Sequence, residues 1–381
     1  MFKILTSKNL KIMAVFYLVA GIAMGSAAPL IPSLVIDAEI SFTELGLASS
    51  VTAFLAGISL PVLGYLGDKY GKKRMLILAM GVRLAALAIF SFTLDKNLIL
   101  LGYLLNELGF ILYLPIARAI VSDAAGREDI GKAYGELITI VSLTEVVMPI
   151  VSGQLYNIVR DYNLMFTWIF ILTLASLPIL FLLDDSPRGD SIQVIKVYRL
   201  NSREKRIFLP AVLEAVSWRV WIFLLYTVPK DRLGVGPDFL GIAYTAQSSA
   251  WLLTQYISGL LTDRLGAKKI YILSDSIMIP MTILYIFYLN QLTVIVNAAL
   301  FGLSISLWIP AFTKIVYEAS DEETRALTYS KVESLRQLAS TPAGQVGGFL
   351  YDSVSYAAPF ALGLGMIVST IILEYKLFPD V

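Results

Sequence analysis

Hydrophobic segments long enough to cross a lipid bilayer recur along the whole chain, and they constrain its fold more than any other feature. A bilayer core of about 30 Å requires about 20 mostly apolar residues in a helix. Twelve such segments can be counted, each apolar over its full length instead of alternating with a period of two residues. The pattern predicts an all-α membrane protein with twelve transmembrane helices, and it argues against a membrane β-barrel. The predicted spans are 12–36, 45–66, 75–94, 98–120, 134–158, 164–183, 207–229, 239–261, 270–289, 292–313, 327–350 and 357–378.

The composition agrees with a chain solvated by lipid. Hydrophobic residues make up 57% and charged residues 15% of the sequence, against about 25% charged residues in soluble domains. The net charge of +1 lacks the basic excess that nucleic-acid binding requires. The chain has no Cys and no His, which removes Cys/His zinc sites, haem ligation by these residues and Cys nucleophiles. We therefore expect no enzyme activity, no cofactor, no metal and no nucleic-acid partner.

The distribution of basic residues predicts the orientation in the membrane. Cytoplasmic loops carry an excess of Lys and Arg. If both termini are cytoplasmic, only Lys96, Arg160, Lys230 and Arg232 of the 30 basic residues fall in outside loops. Both termini are therefore predicted to be cytoplasmic.

The two halves of the chain match each other after a shift of 195 residues. The matched pairs are Gly46 and Gly241, Asp68 and Asp263, Pro115 and Pro310, Tyr134 and Tyr329, and Gly153 and Gly348. Such a duplication is typical of secondary transporters built from two parallel repeats. It predicts an N-terminal six-helix bundle over 1–183, a cytoplasmic linker over 184–206 and a C-terminal six-helix bundle over 207–381.

The loops after the second and eighth predicted helices carry the same motif. Residues 64–74 read GYLGDKYGKKR and residues 259–269 read GLLTDRLGAKK. Both resemble the loop signature G-x-x-x-D-[RK]-x-G-x-[RK]-[RK] of the major facilitator superfamily. The motif residues are Gly64, Asp68, Lys69, Gly71, Lys72, Lys73, Gly259, Asp263, Arg264, Gly266, Lys268 and Lys269.

This resemblance implies a multi-pass transporter of the plasma membrane, in which two six-helix halves rock about a mid-membrane site. It places the motif at a cytoplasmic gate. Helices 5 and 11 run from inside to outside, so their positive N-terminal ends attract carboxylates. We therefore expect Asp68 to face the start of helix 11, and Asp263 the start of helix 5.

Residues 145–153, which read EVVMPIVSG, are similar to the G-P-x-x-G-G element of drug/proton antiporters, although Met148 and Ser152 replace two glycines. The resemblance is nearest to this branch, and we expect proton-coupled export of a small solute by a monomer. Uptake or exchange of an organic anion is the alternative, suggested by Arg219 and Arg336. A non-transporting receptor or a membrane-embedded enzyme is the alternative from another class, and neither a soluble domain nor a nucleophile motif supports it.

Ionisable residues at bilayer depth mark solute and ion pathways by default, because they are costly unless paired or hydrated. The candidates are Arg83, Glu107, Glu145, Glu214, Arg219, Asp275 and Arg336. Each can also be read as structural, as a static ion pair or a satisfied hydrogen-bonding group.

Spacing suggests partners for several of these groups. Arg83 and Glu107 come near the same depth on antiparallel neighbours, and we expect them to pair. Glu214 and Arg219 are separated by about 140° around one helix, so they need different partners. Arg336 is expected to bind Glu214, or else Glu333 on its own helix. Glu145, with no basic residue within reach on its helix, is the first candidate for a proton-binding site.

Overall fold

A computed structural model describes residues 7–125, 130–184, 202–318, 320 and 325–378. The secondary structure of these residues is helical and contains no strand, as the sequence predicted. The helices of the first half are α1 (Lys8–Ala27), α2 (Leu30–Asp37), α3 (Phe42–Tyr70), α4 (Lys72–Phe92), α5 (Lys96–Ala125), α6 (Ile130–Val159) and α7 (Tyr162–Phe181). Those of the second half are α8 (Ser202–Arg219), α9 (Leu224–Leu233), α10 (Pro237–Leu265), α11 (Ala267–Ser276), α12 (Met278–Phe287), α13 (Gln291–Glu318), α14 (Arg325–Ala339), α15 (Thr341–Ser353) and α16 (Ala358–Leu377).

The helix boundaries repeat with the same 195-residue shift as the sequence. The shift carries both ends of α3 onto the ends of α10, and it carries the start of α5 onto the start of α13. It also carries α4 onto the segment occupied by α11 and α12. The duplication seen in the residues therefore extends to where helices begin and end.

Four of the predicted spans are each divided into two shorter helices. The divisions separate α1 from α2, α8 from α9, α11 from α12, and α14 from α15. α15 begins at Thr341 with Pro342 in its first turn, where a residue without a backbone N–H is tolerated because that N–H has no partner inside the helix. The count of apolar residues alone does not reveal such divisions, although prolines mark two of them, at Pro29 and Pro342.

Ten segments of the described chain are long and apolar enough to cross a membrane. α10 and the segment formed by α14 and α15 are not among them. α14 carries several charged residues, which lowers its hydropathy. That these two segments also cross the membrane remains a prediction.

The chain divides into two compact units. The first contains the described residues of Met1–Glu39, Val62–Gln193 and Gly236–Thr245, and the second contains those of Ile40–Pro61, Val194–Val235 and Ala246–Val381. In the first unit α1 packs against α6 and α7, and α4 packs against α5 and α7. In the second unit α8 packs against α14 and α16, and α11 packs against α13 and α16. Each of these helix–helix contacts in one unit thus has a counterpart in the other unit, between helices that lie 195 residues further along the chain.

Candidate functional site

Arg83 is the centre of a charged cluster in the first unit. It lies on α4 and is only 4% exposed. Tyr113 and Glu107 of α5, and Glu145 of α6, lie within electrostatic range of its guanidinium. The close approach of α4 and α5 is made possible by Gly109, where an added Cβ would lie 3.1 Å from the Cβ of Arg83. The structure therefore adds Glu145 to the two residues, Arg83 and Glu107, that the sequence analysis expected to pair.

An apolar groove lies between α1 and α6, and Glu145 is not among its lining residues. The groove has a volume of about 580 Å³. Its lining residues are Ala14, Val15, Leu18, Ile22, Ile140, Leu143, Thr144, Val147 and Met148. The two helices cross at Gly25, where an added Cβ would lie 2.9 Å from the Cβ of Met148. Several of the side chains that line the groove, including Val15, Leu143 and Val147, are exposed on the outer surface of the helices.

Arg336 is the centre of a second cluster, in the second unit. It lies on α14, binds Glu214 of α8 and forms an ion pair of 2.8 Å with Glu333. Its Nε donates to the carbonyl oxygen of Ala211 at 3.0 Å. Its guanidinium also lies 5.0 Å from the ring centroid of Trp308 and 4.8 Å from that of Phe312, a cation–π arrangement. Arg336 therefore binds both Glu214 and Glu333, the two alternative partners expected from the sequence, and they neutralise its positive charge.

Arg219 donates hydrogen bonds to three polar neighbours. Its Nε donates to the hydroxyl of Ser340 at 3.0 Å and its Nη1 to the carbonyl oxygen of Ser49 at 3.2 Å. Its Nη2 donates to the side chain of Gln337 at 2.5 Å. Arg219 thus connects α8 to α3 and to the division between α14 and α15.

Asp275 is completely buried on α11, and its neighbour is a residue that the sequence did not single out. This is Glu374, in the last turn of α16, which is also completely buried. The signal that could have revealed it is helical spacing, since Gly363, Ile367, Thr370 and Glu374 lie on the buried face of α16. A carboxylate on that face must meet the bundle interior instead of lipid.

The glycines of the two loop motifs hold the same backbone conformation. Gly71 has φ of 102° and Gly266 has φ of 92°, values that favour glycine because a Cβ is strained there. Each precedes the first residue of a helix, α4 or α11. By contrast, a Cβ built on Gly64 or Gly259 would have no atom within 4 Å. The motif thus requires its second glycine for the turn.

The basic motif residues of the first loop bind neighbouring helices. Lys72 forms an ion pair of 2.6 Å with Asp123 of α5. Lys73 donates to the carbonyl oxygens of Phe181 and Leu183 at the end of α7, at 2.6 and 2.9 Å. Lys69 is exposed, and a hydrogen bond with Tyr70 raises its pKa.

In the second loop, Lys268 lies 5.4 Å from the ring centroid of Tyr375 in α16. Arg264 and Lys269 are exposed. Asp263 forms an ion pair of 3.2 Å with Lys314 of α13. The structure does not describe the side chain of Asp68 or those at the start of the fifth predicted span, 134–158. The predicted contacts of Asp68 and Asp263 with helix N-termini therefore remain predictions.

Glycines let the start of α3 and α15 pack backbone to backbone within the second unit. A Cβ on Gly46 would collide with the carbonyl of Gly344, and one on Gly348 would collide with the carbonyl of Phe42. The backbone N–H of Gln345 also donates to the hydroxyl of Ser50 at 2.9 Å. We call this contact of α3 with α15 the first seam.

An equivalent contact lies within the first unit, between the start of α10 and α6. A Cβ on Gly241 would collide with the carbonyl of Pro149, and one on Gly153 would collide with the carbonyl of Pro237. The hydroxyl of Thr245 donates to the carbonyl oxygen of Val146 at 2.7 Å. This second seam is the 195-residue counterpart of the first.

A repeated scaffold of long apolar helices with charged clusters inside it defines a secondary transporter. The chain belongs to the Major Facilitator Superfamily, whose sequence profile matches residues 13–229 and again residues 207–381. It is a multi-pass integral protein of the plasma membrane, and its relatives place it nearest the drug/proton antiporter-like branch.

Two relatives and one solved structure illustrate this placement. The chain is 24% identical to the multi-drug resistance efflux pump PmrA of Streptococcus pneumoniae serotype 4, over 95% of each chain. It is 22% identical to the multidrug resistance protein MdtG of Klebsiella pneumoniae, over 85% of this chain and 81% of the relative. The crystal structure of the nucleoside transporter NupG has the same fold, with a TM-score of 0.73 and 12% identity over 97% of this chain and 98% of the other.

Proposed function

We propose that this protein exports small apolar cations in exchange for protons. The observation that carries the proposal is the balance of charge around Arg83. This one arginine faces both Glu107 and Glu145. Among the described residues, Arg83 is the cation that bears on Glu145. Glu145 therefore shares this counter-charge with Glu107.

A carboxylate that shares its counter-charge with another suits exchange transport. A carboxylate at bilayer depth is costly without a counter-charge, so the cluster favours binding either a proton or a cationic solute. Occupancy by one then opposes occupancy by the other, as antiport requires. Glu145 is the group that we assign to the exchanged proton. The names of PmrA and MdtG as multidrug proteins support a solute with apolar surface.

The organic-anion alternative has less support. It depends on Arg219 and Arg336 offering free positive charge to a solute. Arg336 is bound by two carboxylates, and Arg219 donates to three polar oxygens. An anion would have to displace these partners.

In this proposal, the two seams are contacts that form and separate during the transport cycle. With both termini cytoplasmic, the starts of α3 and α10 are at the extracellular end, opposite the loop motifs. We assign the seams as the extracellular closure, which separates when the halves rock, while the motif loops act at the cytoplasmic end. Only contacts that differ between the two states can shift their populations.

Transport by the purified protein in lipid vesicles tests the proposal. Ethidium is a suitable probe because it is a permanent cation, which a pH gradient alone cannot trap. Vesicles with an acidic interior should accumulate it as protons leave, and a proton ionophore should abolish the accumulation. Protein-free vesicles provide the control. Transport of an organic anion without any transport of ethidium or other apolar cations would contradict the proposal and favour the alternative.

A further inference from the structure

Asp275 and Glu374 form a buried carboxyl pair in the second unit, far along the chain from Glu145. Both side chains are 0% exposed. Their carboxyl groups lie within hydrogen-bonding distance of each other. Among the described residues, none of the four carboxyl oxygens has a hydrogen-bond donor. Nearby hydroxyls are engaged elsewhere: that of Ser274 with Ser304, and that of Thr370 with the carbonyl oxygen of Met366.

The charged surroundings do not compensate two carboxylates. The ionisable groups that bear on the pair are Tyr271 of α11, Glu214 of α8 and Arg336 of α14. Arg336 is the cation of this set, and it is already bound by Glu214 and by Glu333. The lysines at the ends of the two helices lie elsewhere, Lys268 over the ring of Tyr375 and Lys376 exposed.

Elementary chemistry then limits the state of the pair. An ionised carboxylate only accepts hydrogen bonds, so two carboxylates cannot bond to each other. Two unpaired negative charges at this separation in a buried site are strongly disfavoured, and carboxyl pairs in such sites retain one proton between them. We propose that Asp275 and Glu374 bind one shared proton, forming a proton site separate from Glu145.

The site is connected to the Arg336 cluster through Tyr271. Tyr271 is completely buried and lies within electrostatic range of Glu214, Asp275, Arg336 and Glu374. Arg336 is the cation that interacts electrostatically with the pair, through Asp275. Any rearrangement of the ion pairs of Arg336 therefore changes the proton affinity of the pair. The proposed site does not depend on the assignment of Glu145, and its test requires no transport.

Infrared spectroscopy of the purified protein tests the site directly, because a protonated carboxyl has a carbonyl stretch distinct from that of a carboxylate. The parent should be Glu145→Gln, which removes the contribution of Glu145. At neutral pH, the added changes Asp275→Asn and Glu374→Gln together should remove the absorption of one carboxylic acid per molecule. Each change alone should shift or remove that absorption, because an amide replaces one partner of the hydrogen bond. The added change Glu318→Gln, at an exposed position in the last turn of α13, should leave it unaltered.

Two results of the infrared measurements would overturn the proposed proton site. An acid absorption that is identical in the parent, in both single changes and in the double change would overturn the proposal. The proposal would also be overturned if Na⁺ altered the carboxylate bands of the parent and no acid absorption could be assigned to the pair. That result would mark a site for a metal cation. The single changes keep a hydrogen-bonding amide in place, and they decide the question if the double change does not fold.

Discussion

Gly344 of α15 lies directly against Gly46 of α3, so that a Cβ added to Gly344 would come within 2.8 Å of the carbonyl oxygen of Gly46. Backbone contact of this kind is available only to glycine, because any side chain holds the helices apart. The counterpart of Gly46 in the other repeat, Gly241, meets the carbonyl of Pro149 in the same way. Both repeats therefore place a glycine where the start of a long helix must lie flush against its neighbour.

Replacing Gly344 by Ala should open the first seam. Overpacking of a tight contact costs about 1 to 3 kcal/mol, and here the cost falls only on the state in which the seam is closed. The population of the closed state relative to the open state should fall by about fivefold to 150-fold. Ser50 is 4% exposed in the seam, and a thiol placed there by Ser50→Cys should react faster with a maleimide when Gly344→Ala is present.

The matched control for this experiment is Gly81→Ala in α4. A Cβ at Gly81 has no atom within 4 Å, so the labelling rate should not change. Equal labelling rates with Gly344→Ala and with Gly81→Ala would show that the seam does not move as a closure.

Losing Arg83 should destabilise the first unit. Removing one partner of a buried charged cluster costs about 3 to 5 kcal/mol, because the remaining charge is left uncompensated. Arg83→Met should therefore lower the free energy of unfolding by about that amount, while Arg83→Met with Glu107→Met should recover only part of it, because Glu145 also loses its cation. Denaturant unfolding in detergent would measure this. Arg74→Met, an exposed position on the same helix, should have little effect, and a double variant no more stable than Arg83→Met would contradict the pairing.

The two carboxylates on Arg336 should contribute unequally to stability. Glu214 is 3% exposed, whereas the side chain of Glu333 is 24% exposed. Water partly solvates Glu333 and weakens its ion pair, so Glu333→Met should cost about 1 kcal/mol or less and Glu214→Met about 3 kcal/mol or more. Thermal unfolding of the two variants side by side would show the difference, and equal or reversed effects would contradict this reading of Arg336.

The sequence predicted the helical class and the repeat well, because apolar length and residue matches are local properties. It also singled out Arg336 and Glu214, since a charge within an apolar span is visible without any structure. It did not reveal that Trp308 and Phe312 lie beside Arg336, because that contact depends on how α13 and α14 pack. Glu374 escaped notice because it stands in the last turn of an apolar helix, where a carboxylate is usually solvated. The division at Ser340 was not predicted, although Pro342, two residues later, is typical of the first turn of a helix.

Orientation can be tested with single cysteines, because the chain contains none of its own. Glu318 and Ser355 are both exposed, and the predicted orientation puts Glu318 inside and Ser355 outside. A membrane-impermeant maleimide applied to intact cells should label Ser355→Cys and should label Glu318→Cys only after permeabilisation. The reverse pattern would place both termini outside and would move the seams to the cytoplasmic end.

The central claim is that the exchanged proton binds at Glu145, and the Glu145→Gln variant in vesicles tests it most directly. Glutamine keeps the size and polarity of the side chain but cannot release a proton. Accumulation of ethidium driven by an acidic interior should be lost, while exchange of labelled for unlabelled ethidium at equal pH should continue, which also shows that the variant is folded. Gradient-driven accumulation at the rate of the unaltered protein would contradict the account.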